Sequence, residues 1–111
     1  MIRPIRTTRE FQDLRATGCR VSSGPLTMIV SPLSDPDVTR VAYAIGRPVG
    51  TAVHRNRLRR RLREVVAGCD RAGRLPSSTY LMICRADARH LDHSELTSCV
   101  DDLLVRAAAR S

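Results

Sequence analysis

The chain has 111 residues, a hydrophobic content of 42% and a formal net charge of +8, and every one of its basic residues except three histidines is arginine. That length makes one domain, residues 1–111, whose core must come from Leu, Val, Ile, Met and Ala, because the aromatics are only Phe11, Tyr43 and Tyr80. No apolar run approaches a membrane span and the start lacks the apolar stretch of a signal peptide, so the expectation is a cytoplasmic protein with no membrane partner.

Residues 1 to 6 read as an extended basic arm carrying Arg3 and Arg6. Thr7 and Glu10 have capping-box spacing, which predicts a short helix over about 8 to 16, with Phe11 and Leu14 on one face and Gly18 as its stop. Residues 19 to 33 read as one strand interrupted at Ser22-Ser23-Gly24-Pro25, with Leu26 to Val30 its clear part. Ser31 to Asp37 holds two prolines and reads as a turn. Val41, Tyr43 and Ile45 alternate with Arg40, Ala42 and Ala44, so Val38 to Ile45 is a second strand, expected to pair with the first as an antiparallel hairpin. Its small-residue face, Ala42 and Ala44, is expected to be open beside a basic helix, a common way to hold single-stranded nucleic acid.

That basic helix is predicted over about 51 to 68. Leu58, Leu62, Val65, Val66 and Cys69 form one apolar stripe, Thr51 is the expected N-cap and Gly68 the expected stop. Arg55 falls close to the apolar side, so its head needs an acceptor or must reach past the core. Tyr80 to Cys84 is a near-continuous apolar run, read as a central strand buried on both faces. Asp92 and Glu95 cap a last helix, about 93 to 109, with Leu96, Val100, Leu103, Leu104 and Ala107 as its stripe.

The charge is concentrated. Seven arginines and no acid lie between Arg47 and Arg63; the remaining twelve arginines against eleven acids carry only +1. A surface helix usually interleaves acids with bases and gains i,i+4 pairs. A face of like charges makes sense when a partner supplies the negative charge, and guanidinium forks suit phosphate oxygens. No nucleophile–base arrangement, phosphate-cradling glycine loop or carboxylate cluster is visible, so no catalytic residue is assigned. Cys19, Cys69, Cys84 and Cys99 form no Cys-x-x-Cys pair and read as reduced thiols; His54, His90 and His93 read as surface histidines, with no metal site.

The run Gly-Arg-Pro-Val-Gly-Thr-Ala-Val-His-Arg-Asn-Arg-Leu-Arg-Arg-Arg-Leu-Arg-Glu, residues 46–64, resembles the central motif of the bacterial ribonuclease P protein component. The resemblance extends over about residues 5 to 107. It implies an α+β fold in the order αββαβα, a two-layer sandwich with a mixed sheet and a left-handed βαβ crossover (ribosomal protein S5 domain 2-like). It further implies a subunit that binds the catalytic ribonuclease P RNA and the 5′ leader of precursor tRNA, assisting endonucleolytic removal of the leader. Catalysis then belongs to the RNA with Mg²⁺, with one protein per catalytic RNA.

Carried over by position, the resemblance gives RNA-binding roles to Arg47, Arg55, Asn56, Arg57, Arg59, Arg60, Arg61 and Arg63. It places Phe11, Met28, Ile29 and Arg85 at a leader cleft between the first helix and the sheet. Pro48 replaces a second basic residue of the motif, and Thr51 stands where the family usually has Asn. Arg15 and Ile29 stand where many members have aromatics that stack on leader nucleotides, an interaction of roughly 1–3 kcal/mol per base. Two other readings compete. One is a small ribosomal-type or RNA-chaperone protein with no role in tRNA processing. The other is a DNA-binding domain, which lacks the second helix of a helix-turn-helix.

Overall fold

A computed structural model of the chain describes residues 2–5, 7–31 and 38–110. Arg6 and most of the expected turn at 31–37 lie outside the described residues. The first helix, α1 (Thr8–Thr17), begins where Thr7 turns extended and its hydroxyl accepts the Glu10 N–H at 3.1 Å. It ends at Gly18, whose N–H reaches the Leu14 carbonyl at 2.8 Å. A Cβ at Gly18 would stand 2.4 Å from Ile29 Cγ2, so this glycine is what lets the helix end sit on the sheet.

The chain before α1 is more than an arm. Ile2–Arg3 forms β1, paired in parallel with Thr39 and Arg40. After α1 the expected single strand over 19–33 is two: β2 (Cys19–Ser23) and β3 (Leu26–Val30), antiparallel, with Ser23 opposite Leu26. Gly24 at φ 55° and Pro25 form a two-residue turn that reverses the chain where the sequence suggested only an interruption.

The expected hairpin between β3 and β4 (Thr39–Ile45) does not form. The sheet order is β1-β4-β5-β3-β2, with β5 (Thr79–Cys84) lying between them, parallel to β4 and antiparallel to β3. The reason is the composition of β5. Tyr80, Leu81, Met82 and Cys84 are all buried, and a strand apolar on both faces belongs at the centre, where both edges are hydrogen-bonded. β4 and β5, parallel neighbours, are joined by the second helix, the βαβ crossover the resemblance implies.

That helix, α2 (Ala52–Arg71), follows a 3-10 turn at Arg47–Val49 and buries the whole predicted stripe of Leu58, Leu62, Val65, Val66 and Cys69. Two expectations fail in detail. Thr51 is the N-cap, but its hydroxyl faces His54 Nδ1 at 3.3 Å and caps no backbone N–H. Gly68 lies inside the helix, which runs on to Arg71; the chain turns at Gly73, φ 72°. Glycine inside a helix costs only about 1 kcal/mol relative to alanine, and continuation buries Cys69, 1% exposed. A second 3-10 turn, Ala86–His90, leads into α3 (His93–Ala109). Its capping box is complete: Glu95 N–H donates to Asp92 Oδ1 at 2.8 Å and Asp92 N–H to Glu95 Oε1 at 3.0 Å.

Alternation along the strands splits the interior in two. Val21, Met28, Val41, Ile45, Tyr80 and Met82 meet α2 and α3 in the main core. Ile29 and Leu81, from the other face, pack with Ile5, Leu14 and Phe11 under α1, beside Ala42, Ala44 and Ile83.

Candidate nucleic-acid interface

The apolar stripe fixes how α2 turns its arginines. On one flank Arg59 and Arg63 lean toward the sheet. The Arg63 guanidinium lies 5.9 Å from the Tyr43 ring centroid, and Arg59 Nη1 donates to Asn56 Oδ1 at 3.0 Å. Burial pushes the Cys84 thiol up to about 12, and the nearby Arg59 charge pulls the other way. On the opposite flank Arg61 Nη2 donates to the Leu91 carbonyl at 2.8 Å, and Arg57 stands beside the 86–90 turn. Asn56, Arg57, Arg60 and Arg63 are exposed, as is Arg47 in the preceding 3-10 turn.

Arg55 lies near the apolar side of α2, as its position in the sequence implies. It is half-buried, and its Nε is enclosed without a hydrogen-bond partner. The ion pairs among the described residues are Arg74–Asp101 and Arg106–Asp102. No arginine from 47 to 63 has a carboxylate partner there, so the field of this segment is not neutralised from within.

The other face of the sheet separates the four residues assigned to a leader cleft. Phe11 is half-buried on α1 against Ala42, Ala44 and Ile83, themselves only partly covered. Ile29 belongs to that cluster but is 3% exposed beneath the end of α1. Met28 is fully buried in the main core, on the opposite side of the sheet, because neighbouring strand residues point opposite ways. It cannot line a cleft on the α1 face. Arg85 is exposed at the end of β5, and its N–H is held by the Pro25 carbonyl at 2.9 Å. Ile83 lies on the same face as Ala42 and Ala44 and was missed in the sequence, because the run from Tyr80 to Cys84 is apolar throughout and does not mark its outer face.

Three further residues escaped the sequence reading. Tyr43 holds Arg63, and Arg89 and His90 stand across from Arg57. Nothing local marks the last two; packing of the 86–90 turn against α2 brings them there. Among the described residues no three His, Cys, Asp or Glu side chains come together as a metal site. No described helix is long and apolar enough to cross a membrane.

Fold and surface together define a small α+β protein whose crossover helix is a self-unneutralised arginine surface. The sequence profile of the family described as Ribonuclease P matches residues 3–108, and the chain belongs to that family. It is similar to the ribonuclease P protein component of Micrococcus luteus, 43% identical over 75 residues, which are 59% of this chain and 55% of that protein. The match thus spans about half the length of that relative. The component from Thermobifida fusca is 39% identical, covering 96% of this chain and 76% of that one. The solved ribonuclease P protein of Staphylococcus aureus superposes with a TM-score of 0.78, 18% identity and 94% of each chain covered, a likeness of fold.

Proposed function

We propose that this chain is the protein subunit of a bacterial ribonuclease P, binding the catalytic RNA and the 5′ leader of precursor tRNA during removal of the leader. The observation that carries this reading is the crossover helix. In a chain of this family, the arginines of residues 47–63 have no carboxylate partner among the described residues. In this reading Arg47, Asn56, Arg57, Arg59, Arg60, Arg61 and Arg63 meet phosphates and base edges of the catalytic RNA. Phe11, Ala42, Ala44 and Ile83 form the apolar floor on which leader nucleotides lie, with Arg85 at its end.

The chemistry belongs to the RNA. Mg²⁺ held by the RNA would supply an activated water and stabilise developing charge. The protein contributes by lowering repulsion between two polyanions and by orienting the leader. One protein per catalytic RNA, in the cytoplasm, completes the proposal.

The test is cleavage of a precursor tRNA by bacterial ribonuclease P RNA at low Mg²⁺, with and without this protein. Strong stimulation supports the assignment. Tight RNA binding without stimulation would move the ribosomal-type or RNA-chaperone reading to the front.

A further inference from the structure

A groove of about 340 Å³ runs between α2 and the 86–90 turn, with Leu58 as its floor and His54, Arg57, Arg61, Arg89 and His90 as its walls. It is built from two elements thirty residues apart in sequence. Gly50 seats it: at φ 139° and without a side chain, it leaves room where a Cβ would stand 2.9 Å from His54 Nδ1 and 3.2 Å from Arg89 Nη1. The Arg61 bond to the Leu91 carbonyl ties the two walls together.

The walls carry five basic or proton-accepting groups and no carboxylate. Asp87, in the same turn, does not line the groove, and Asp92 is committed to capping α3. Arg57 and Arg89 are exposed and have no ion-pair partner among the described residues. Within the groove His90 Nε2 accepts from Arg89 Nε at 3.4 Å, which requires that nitrogen to be unprotonated. His54 Nδ1 faces the Thr51 hydroxyl, which can donate or accept.

We propose that this groove binds a backbone phosphodiester of RNA, and that proton uptake by His54 and His90 strengthens the binding. The ligand class follows from the donors. A planar fork on each wall suits two oxygens of one phosphate. The proton linkage follows from the Arg89–His90 contact. Without a ligand, neutral His90 is an acceptor for Arg89. With an anion between the walls, a protonated His90 becomes a further donor, and Arg89 Nε is released to the same phosphate. Anion binding and protonation then favour one another by linkage. The groups facing the two imidazoles are Arg57 and Arg61 from α2, Arg89 from the turn and Thr51 from the N-cap. This inference rests on the RNA-binding reading and adds to it a second wall and a pH dependence.

The experiment has two arms on the full chain. In the first, imidazole resonances of His54 and His90 are followed by NMR against pH, with and without inorganic phosphate as probe. Phosphate is expected to move both titrations to higher pH and to leave His93 unmoved. In the second, affinity for a labelled ribonuclease P RNA transcript is measured at pH 6 and pH 8 across a salt series. The wild type is expected to bind about fivefold tighter at pH 6. The double variant His54→Gln/His90→Gln is expected to lose that difference while keeping its fold by circular dichroism. Arg89→Gln is expected to flatten the log–log salt slope by about one. Arg71→Gln, an exposed charge at the far end of α2, controls for net charge. Tight, salt-dependent RNA binding with no histidine response to phosphate and no pH difference overturns the groove and leaves the RNA reading standing. A phosphate response without RNA binding overturns the RNA part of the proposal and keeps only an anion site.

Discussion

The Arg63 guanidinium lies over the Tyr43 ring, 5.9 Å from its centroid, and so joins the crossover helix to the strand that precedes it. A cation over an aromatic face contributes about 0.5–1 kcal/mol at a partly exposed site. Tyr43→Phe is expected to be nearly neutral in urea denaturation and Tyr43→Leu to be destabilising. Arg63→Gln is expected to lose the same increment, with little further loss in the double variant. Additive losses would mean that ring and guanidinium are not coupled.

Arg57→Ala and Arg60→Ala are expected to weaken binding to the catalytic RNA and each to lower its salt dependence by about one phosphate contact. Filter binding from low to high salt checks this. Unchanged slopes in both variants would remove the helix from the interface.

The two faces of β3 separate stability from binding. Met28→Ala opens a cavity in the main core and is expected to cost about 2–5 kcal/mol, with RNA affinity unchanged under folding conditions. Phe11→Ala is expected to lower affinity for precursor tRNA more than for mature tRNA in the assembled holoenzyme. A Met28→Ala variant of full stability would contradict the assignment of that side chain to the core.

Gly18→Ala places a methyl group against Ile29 Cγ2 and the Leu14 carbonyl, both closer than 3 Å. Because Gly18 sits at φ −68°, the cost is overpacking and not backbone strain, about 1–3 kcal/mol. Chemical denaturation measures it, and because valine keeps the Cγ2 methyl, Gly18→Ala/Ile29→Val is expected to recover none of the loss.

Alkali is expected to destabilise the fold. Burial raises the Cys84 thiol from 9.0 and the Tyr43 and Tyr80 phenols from 10.0, each to about 12. The unfolded chain therefore loses these protons first and binds fewer of them, so unfolding becomes easier as pH rises. Their contribution is intact below about pH 9 and is lost progressively toward pH 12. Thermal melts between pH 8 and 11 check the sign. All four cysteines are free, so dithiothreitol is expected to leave the melt unchanged.

Local rules carried much of this fold. The stripe from Leu58 to Cys69, the Thr7 and Asp92 caps and the buried run of β5 were all legible, because periodicity and capping are properties of neighbouring residues. Strand order was not. Val38 to Ile45 follows Leu26 to Val30 closely, and nothing local says that residues 79–84 will come between them. The cleft was half legible. Leu26 to Val30 is almost uniformly apolar, so alternation could not name the outer face. It did imply that Met28 and Ile29, adjacent on one strand, cannot share it. The opposing wall of Arg89 and His90 was invisible because it exists only after α2 and the 86–90 turn meet.

The insertion of β5 between β3 and β4 also sets a timetable. As the chain leaves the ribosome, β2 and β3 can close on each other at once, but β4 has its long neighbour only when residues 79–84 emerge. Until then its inner edge and that of β3 stay unsatisfied. Closure of such non-local pairs is the slow part of folding. The arginine helix is therefore synthesised, charged and exposed before the central strand of the sheet it packs on.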